Sequence, residues 1–499
     1  MNIRLQTLGI LAATMIGSAS ISHTARAEWS DSLRYHAEVG TTLASGQNTP
    51  LWLNANKYGF SSTERNNVWL RLGIFHDLDH DKKFSWGAGI DLGVAHRLQS
   101  TFIPQQLYGE IKYRCLNLMV GAKEISDDFL NQDLSSGALT QGWNARPIPQ
   151  ARVGIFDYAD FWGCKGWFAV KGHIAYGFFD DNWWLNRWAN RDYKYTLSTL
   201  YCSRAIYFRG GDARQFPLTG EIGLVMDTEF GGRTWEPNSN LPGGGSWAKH
   251  PTYPKAWLKA LIPMSGGNDT SGGEQTNVEG NFLGNWSMSL KWQDPSGWMA
   301  RIYYQHFFED HSMLFFDYPW KDGLYGIEGK LPENPFVSNV LYEFLYMKDQ
   351  GGPVYWDHTP TVDVQVSGRD TYYYNYIYNG WQHWGQAIGN PLLTSPIYNK
   401  NHYLFFYSTR IVSHHLGFSG EPSAAVGYHV MASHTRSWGS YLEPFRHVKT
   451  NFSMLGEVKY HPRKLKGWEA AAAISFDTGS LLGNNFGASV SISKTGFIK

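Results

Sequence analysis

Apolar and polar positions alternate along most of this chain with a period of two. Near one end, Phe486, Ala488, Val490 and Ile492 alternate with Gly487, Ser489, Ser491 and Ser493. Just before them, Trp468, Ala470, Ala472, Ile474 and Phe476 alternate with Glu469, Ala471, Ala473, Ser475 and Asp477. Trp286, Met288, Leu290 and Trp292 oppose Ser287, Ser289, Lys291 and Gln293; Trp298, Ala300, Ile302 and Tyr304 oppose Met299, Arg301, Tyr303 and Gln305. Leu218, Ile222, Leu224 and Met226 oppose Thr219, Glu221, Gly223 and Asp227 in the same way. Successive side chains of an extended backbone point to opposite faces, so these stretches read as strands with one apolar and one polar face.

A soluble sandwich would alternate too, but two details favour a barrel in lipid. Aromatic residues crowd the strand ends, as in Trp286 and Trp292, Trp468 and Phe476, Phe168 and Phe178, which is where outer-membrane barrels carry their interfacial girdles. The polar faces hold charges such as Glu469, Asp477, Lys291 and Arg301, which suit a wet lumen better than a dry core. The stretches run about nine to twelve residues, enough for a tilted bilayer crossing. Eighteen strand starts are expected, near Leu33, Asn67, Phe84, Leu107, Leu116, Gln150, Trp167, Tyr195, Leu218, Asn285, Trp298, Leu324, Val337, Tyr403, Ala424, Asn451, Gly467 and Asn485. The expected fold is therefore all-β, a transmembrane antiparallel β-barrel of 18 strands. Three long connections, Asp127–Ile148, Gly231–Gly280 and Gln350–Lys400, break the alternation; loops of this length are usually functional or disordered, and here they are expected to plug the lumen.

Composition narrows the class further. Mean hydropathy is −0.37, too polar for a bundle of membrane helices. Charged residues are 17%, aromatics 16%, and 43 basic residues balance 43 acidic ones, so no basic field exists to recruit nucleic acid. Arg4, the apolar stretch Leu8–Ile16 and Ala25-Arg26-Ala27 have the form of a secretory signal peptide over residues 1–27, with cleavage after Ala27 and the barrel occupying 28–499. The apolar stretch is too short to span about 30 Å of hydrocarbon. The ending Phe497-Ile498-Lys499 places an aromatic near the last strand's end, a feature read by barrel-assembly machinery. Cys115, Cys164 and Cys202 fit no zinc or redox spacing; at most one disulfide is expected.

Reactive constellations are scarce. The chain has no Gly-x-Ser-x-Gly elbow, zincin helix or P-loop. His414-His415 falls on an expected strand, where neighbours face opposite ways. Asp180-Asp181 and Glu309-Asp310 could form a glycosidase pair, but read more simply as solvated loop charges. Neither a catalytic residue, nor a metal ligand, nor a cofactor is expected. The run Thr371-Tyr372-Tyr373-Tyr374-Asn375-Tyr376-Ile377-Tyr378-Asn379-Gly380-Trp381-Gln382-His383-Trp384 is the most unusual segment. Its rings could stack on sugar faces while polar neighbours bond hydroxyls; girdle or plug packing explains it equally well.

Four segments in order carry a family resemblance. They are Asn48-Thr49-Pro50-Leu51-Trp52-Leu53-Asn54-Ala55-Asn56-Lys57-Tyr58-Gly59; Ser136-Gly137-Ala138-Leu139 with Asn144-Ala145-Arg146-Pro147-Ile148-Pro149-Gln150; Leu341-Tyr342-Glu343-Phe344-Leu345-Tyr346 with Asp349-Gln350-Gly351-Gly352-Pro353; and Tyr378-Asn379-Gly380-Trp381 with Gly385 and Ile388-Gly389-Asn390-Pro391. Together they resemble the Wzi-type capsule-assembly outer-membrane proteins. The resemblance implies a blocked 18-stranded barrel that attaches capsular or exported polysaccharide, lectin-like and without catalysis. It departs in one respect: a strand-like segment, Leu33–Leu43, follows the signal at once, where well-known members carry a helical bundle, so any plug must come from loops.

The expected protein is thus a non-enzymatic glycan binder of the cell outer membrane. Its expected partners are polysaccharide, outer-membrane lipid and barrel-assembly machinery, with no nucleic acid. Arg146, Tyr376, Trp381, His383 and Trp384 are the candidate glycan contacts, with Arg146 paired to a lumen carboxylate. The rival readings are an open porin or glycan transporter and, from a third class, an outer-membrane hydrolase.

Overall fold

The structure, a computed structural model, describes residues 33–498 apart from 126–128, 162–165, 213–214, 239, 242, 265–278, 310–312, 315, 317–319, 333–335 and 352–369. The expected signal peptide lies outside the described residues, as does Cys164; Cys115 and Cys202 are free thiols.

Eighteen strands form one closed antiparallel barrel. In chain order they are β1 (Leu33–Ser45), β2 (Asn67–His76), β3 (Phe84–His96), β4 (Phe102–Tyr113), β5 (Leu116–Ala122), β6 (Gln150–Asp160), β7 (Phe168–Phe178), β8 (Leu200–Gly210), β9 (Leu218–Phe230), β10 (Asn281–Gln293), β11 (Met299–Glu309), β12 (Gly323–Lys330), β13 (Asn339–Met347), β14 (Ile411–Ser423), β15 (Val426–Gly439), β16 (Pro444–Tyr460), β17 (Trp468–Gly479) and β18 (Asn485–Phe497). Each pairs with its sequence neighbours, and β1 pairs with both β2 and β18, Arg34 opposite Phe497 and Ser45 opposite Phe486. Short turns join the strands at the end that holds both barrel termini. The long connections, 46–66, 123–149, 179–199, 231–280, 310–322 and 348–410, all leave the other end.

The faces fall as the alternation requires. Ile474, Phe476, Val490 and Ile492 are exposed on the outside, while Ser475 and Asp477 are buried within. Outward aromatics mark both rims: Phe84, Tyr113, Trp167, Trp292, Trp298, Tyr460 and Phe497 at the turn end, Phe102, Phe178, Phe476 and Phe486 at the loop end. Aliphatic residues such as Ile90, Leu92, Val120, Ile222 and Val490 fill the band between. Two expected starts need correction. Tyr195 begins a three-residue strand, Tyr195–Leu197, in a small sheet with Arg233–Pro237 and Gly245–Lys249, and the barrel strand starts at Leu200. Tyr403 lies in loop, where its ring stacks with Tyr193 and Phe405; the barrel strand starts at Ile411.

The hydrophobic core sits inside the barrel. Trp52, Leu139, Trp143, Tyr372, Tyr373, Trp381, Ile388, Leu393 and Phe406 come from loops and pack against the inward wall residues Tyr303, Phe307, Leu345 and Leu455. Beneath this plug, on the β1–β8 side, a cavity of about 830 Å³ runs from Ala138, Gly142 and Ile388 to Asp77, His80 and Asp157 at the turn end. Its β1–β5 wall carries the ion pairs Arg34–Asp77 (2.7 Å), Arg71–Asp91 (2.5 Å), Arg71–Glu124 (2.8 Å) and Lys123–Glu110 (2.6 Å).

The assignment of faces has a direct test. Ala472→Arg puts a charge into lipid near mid-strand and should cost about 2–4 kcal/mol. Ser489→Arg points into a smaller cavity of about 270 Å³ that already holds Lys57, Glu457 and Lys459, and should cost markedly less. Refolding titrations into lipid measure both; equal losses would reject the assignment.

Candidate functional site

The plug is built from three loops that enter from the loop end. The first contains α1 (Leu51–Asn54), whose four residues are all buried. Pro50 precedes it, and the Leu51 N–H donates to the Asp477 carboxylate at 3.1 Å. The second loop is tied to the wall by Glu343, which is fully buried and accepts from the Ser136 N–H (2.7 Å), the Ser135 hydroxyl (2.6 Å) and the Tyr303 hydroxyl (2.5 Å). Gln141 donates to Tyr201 and Ser203 of β8 and to Asp227 of β9. A carboxylate accepts only, so several donors converging on one oxygen pair satisfy it without a counter-ion.

The loops also bond to one another. Asn144 accepts from the Asn56 N–H (3.0 Å) and donates to the Ala387 carbonyl (2.8 Å), joining all three. The Tyr58 and Gly59 N–H groups donate to the Trp143 and Asn144 carbonyls. Gly59 has φ +65°, and a Cβ there would meet Arg146 at 2.6 Å, so only glycine fits. Asn390 donates to the Gly137 carbonyl at 2.6 Å, and the Tyr373 hydroxyl donates to the Leu139 carbonyl. The segments that resembled a known family are largely these plug contacts.

The five candidate residues separate into three places. Trp381 is wholly buried, and its indole N–H donates to the Thr140 carbonyl at 2.7 Å. Tyr376 is 43% exposed on the loop-end surface. Arg146, His383 and Trp384 come together beside Asp180 and Asp181. The expected pairing of Arg146 with a carboxylate does not form: its guanidinium stacks on Trp384 at 4.1 Å and reaches Ser100 and Gln99 only at 3.4 Å. Burial pulls Arg146 down to about 10, against the opposing influence of Asp180 and Asp181.

His383 is tied at both nitrogens, to the Arg146 carbonyl (3.0 Å) and to the Asp180 carboxylate (2.9 Å). Both partners only accept, so the imidazolium is the form that satisfies both bonds. Burial lowers the affinity of His383 for its proton, but the Asp180 bond and the charges of Asp180 and Asp181 outweigh it and hold the group above its ordinary value. Burial raises the Asp180 carboxyl, but the His383 bond and charge, the Trp384 indole N–H and the Arg146 charge together more than reverse that and leave it lowered. Burial leaves Asp181 raised, although it accepts from the Trp384 N–H at 3.1 Å. The reading of Asp180-Asp181 as solvated charges is therefore corrected: Asp181 is buried and both hold the plug. With both ring nitrogens engaged, His383 has none to offer as a general base. No group of three or more His, Cys, Asp or Glu placed to hold a metal occurs among the described residues.

Above the plug lies a surface that the sequence reading missed. The helix α2 (Asn182–Trp188) stacks Trp184 on Trp188 (4.9 Å), and Trp188 stacks on His402 (4.8 Å). Tyr193 lies on Tyr403 at 4.3 Å, and Tyr403 on Phe405 at 5.5 Å. Tyr193, Tyr403 and Tyr407 remain half-buried, ringed by Asn190, Asn401 and Arg191; Asn401 donates to the Tyr407 hydroxyl at 2.9 Å. Its sequence signal is the run Trp183-Trp184-Leu185-Asn186-Arg187-Trp188-Ala189-Asn190-Arg191-Asp192-Tyr193, which resembles the 371–384 run in composition.

No model of a known protein family matches the chain, and no curated protein matches its sequence. Among solved structures it is similar to Wzi of Escherichia coli, described as an outer-membrane protein involved in group 1 capsule assembly and a carbohydrate-binding β-barrel. The TM-score is 0.53 at 12% identity, over 93% of this chain and 84% of that one. Pseudomonas aeruginosa OccK3 (TM-score 0.45, 10% identity, 94% and 96% covered) and OprD (0.46, 7%, 94% and 95%) are further matches.

Two outcomes follow for the plug. The intact barrel should conduct ions poorly in planar bilayers, and deletion of residues 135–144 should give large, steady channels. Second, His383 is raised, so its stabilising bond is fully present below pH 6.5 and fades as pH rises through its folded value; Asp180 is depressed, so its share is present above pH 3.8 and is lost as pH falls. Protease cutting of the 371–410 loop in the folded barrel should thus be slowest between these limits and quicken at alkaline pH. Asp180→Asn should flatten the alkaline limb.

Proposed function

We propose that this protein is a non-catalytic, lectin-like barrel of the outer membrane, related to the Wzi type, that attaches exported or capsular polysaccharide at the cell surface. In this reading the chain is cleaved near Ala27 and inserted by the barrel-assembly machinery, with lipid around the band. Long loops of bacterial barrels face outward, which puts the plugged end at the cell surface. One observation carries the reading: the loops close the lumen and end in partly exposed aromatic rings set among amide and guanidinium groups. Flat rings offer contact area at low rotamer cost, and Asn and Arg bond hydroxyls or acidic groups.

The direct glycan contacts in this proposal are Tyr376, Tyr193, Tyr403 and Tyr407. Arg146, Trp384 and His383 contribute at the base of the same surface, and Trp381 fixes the plug beneath it. Single sites of this wet, open kind bind weakly; a polymer engaging many barrels gains avidity without new contacts. The carbohydrate-binding description of the Wzi neighbour agrees with the proposal. The wet chamber on the turn-end side favours a second reading, passage of solutes, which conductance of the intact protein would reveal.

The test separates surface from plug. Tyr193→Ala with Tyr403→Ala and Tyr376→Ala should leave heat-modifiable, poorly conducting barrels at normal levels, while the cells release polysaccharide into the medium. Trp381→Ala, a buried truncation costing about 3–5 kcal/mol, should loosen the plug and raise conductance as well. A normal cell-bound layer in the triple tyrosine variant would overturn the assignment of this surface.

A further inference from the structure

The barrel's outer wall carries a helix that neither the plug nor the glycan surface explains. The helix α3 (Pro254–Leu261) lies outside the barrel across three neighbouring strands. Its Ala256 and Ala260, with Trp257 and Leu261, pack on Cys202 and Leu200 of β8, Phe230 of β9 and Tyr176 of β7. These are outward positions, in phase with exposed Ile174, Ile206 and Ile222 on the same strands. Trp257 meets Tyr176 at 5.0 Å and Phe230 at 5.4 Å, and the Tyr176 hydroxyl donates to the Trp257 carbonyl at 2.8 Å.

The height of the helix can be read from the strand beneath it. Phe168 stands in the turn-end girdle, and Tyr176 is eight residues along the same strand. At about 3.3 Å per residue and a tilt of about 40°, that is roughly 20 Å along the membrane normal, inside an apolar band about 25 Å tall. The side of the helix turned away from the wall is apolar apart from exposed Lys255 in its first turn: Leu258 is 50% exposed, and Tyr253, Ile262 and Met264 are exposed beside it. The helix's inward lysine, Lys259, is buried and paired with buried Glu279 at 2.5 Å. A lysine can turn its ammonium out to water; Lys259 is instead neutralised beneath the helix by a carboxylate of its own loop, which leaves Leu258 and Ile262 on the outer face. Next to this patch Arg204 also points outward from β8, is buried, and donates to the Thr228 hydroxyl at 3.0 Å.

We propose that α3 is an interfacial anchor: its Leu258–Ile262 face sits in the outer leaflet of the bilayer, continuous with the lipid-facing band, and Lys255 reaches the headgroups. The helix widens the barrel's apolar girdle over β7–β9, where wall strands alone would present Arg204 and Thr228 to lipid. Interfacial helices bind through buried apolar area and basic residues at the rim. The loop that carries the helix, 231–280, also supplies two strands of the small sheet above the barrel, so anchoring α3 fixes the height of that sheet over the membrane.

The test uses a single environment-sensitive label. Leu258→Cys is labelled with a nitrobenzoxadiazole probe in a chain with Cys115→Ser and Cys164→Ser, reconstituted in phosphatidylcholine vesicles. Buried Cys202 stays, and the parent chain without Leu258→Cys gives the background. Ile222→Cys serves as the lipid reference and Lys194→Cys as the water reference. The anchor requires blue-shifted emission at Leu258, quenching by a nitroxide carried on the lipid chain as strong as at Ile222, and loss of iodide quenching relative to Lys194. Iodide quenching equal to that at Lys194 would overturn it. So would protection from both quenchers, which would mean that protein covers this face. Ile262→Cys reads the same face should Leu258→Cys fail to fold.

Discussion

A sheet in hydrocarbon has no water to satisfy its edge amides, and every feature of this molecule descends from that constraint. The pairing of β1 with β18 removes the last free edge. Closure over 18 strands makes a lumen too wide for wall side chains alone to fill. The chain therefore builds its hydrophobic core from loops and places it inside the ring, while the outer face, apolar for lipid, has no core to make. The usual arrangement of a soluble protein is inverted: polar wall residues face inward, and an apolar plug must fit among them.

That conflict is settled by hydrogen bonds rather than by excluding polar groups. Inward carboxylates and amides of the strands become acceptors and donors for the irregular backbone of the plug. Glu343 receives two groups of the second loop, Asp477 receives the N–H at the start of α1, and Glu309 receives the Tyr373 N–H at 2.6 Å. A buried backbone N–H without a partner costs about 1–3 kcal/mol, so these residues decide where each loop can rest. His383 and Asp180 do the same for the third loop with one formal charge of each sign. The plug is thereby held by directional contacts at its margin and by non-directional packing of Trp52, Trp143, Trp381 and Phe406 at its centre.

The barrel was legible because a period of two is dictated by the backbone and needs no tertiary information. Starts at Leu33, Asn67, Phe84, Leu116, Gln150, Leu218 and Asn485 coincide with the strands. Leu107, Asn285 and Asn451 fell inside longer strands, since alternation shows a face but not where pairing ends. Tyr195 and Tyr403 misled because aromatic, β-prone stretches serve equally well in a small sheet or a ring stack. Arg146 could be marked as buried and important, but not its partner: whether a guanidinium finds a carboxylate or a ring depends on which loop arrives beside it. The same limit hid Asp181 and the Tyr193–Tyr403 surface, which join segments some two hundred residues apart. Phase alone would turn Phe230 toward lipid; that a helix covers it belongs to the packing.

The separation of a plug held on many bonds from a partly exposed rim would let the barrel, in the proposed role, bind without moving. Aromatic rings at the rim are already stacked on one another and on His402, so little rotamer entropy would remain to be lost on binding the proposed glycan. The plug below is bonded to β9 through Gln141, to β13 through Glu343 and, across the ring, to β17 through Asp477, so the rim inherits the stiffness of the barrel rather than the mobility of a long loop. A transport protein needs the reverse, a constriction whose contacts break as cargo passes. Here opening the lumen would expose Trp52, Trp143 and Trp381 together and orphan the acceptors that face them, a cost no weak sugar contact could offset. The same network that plugs the lumen therefore opposes opening at the loop end, with the wet chamber lying beneath it.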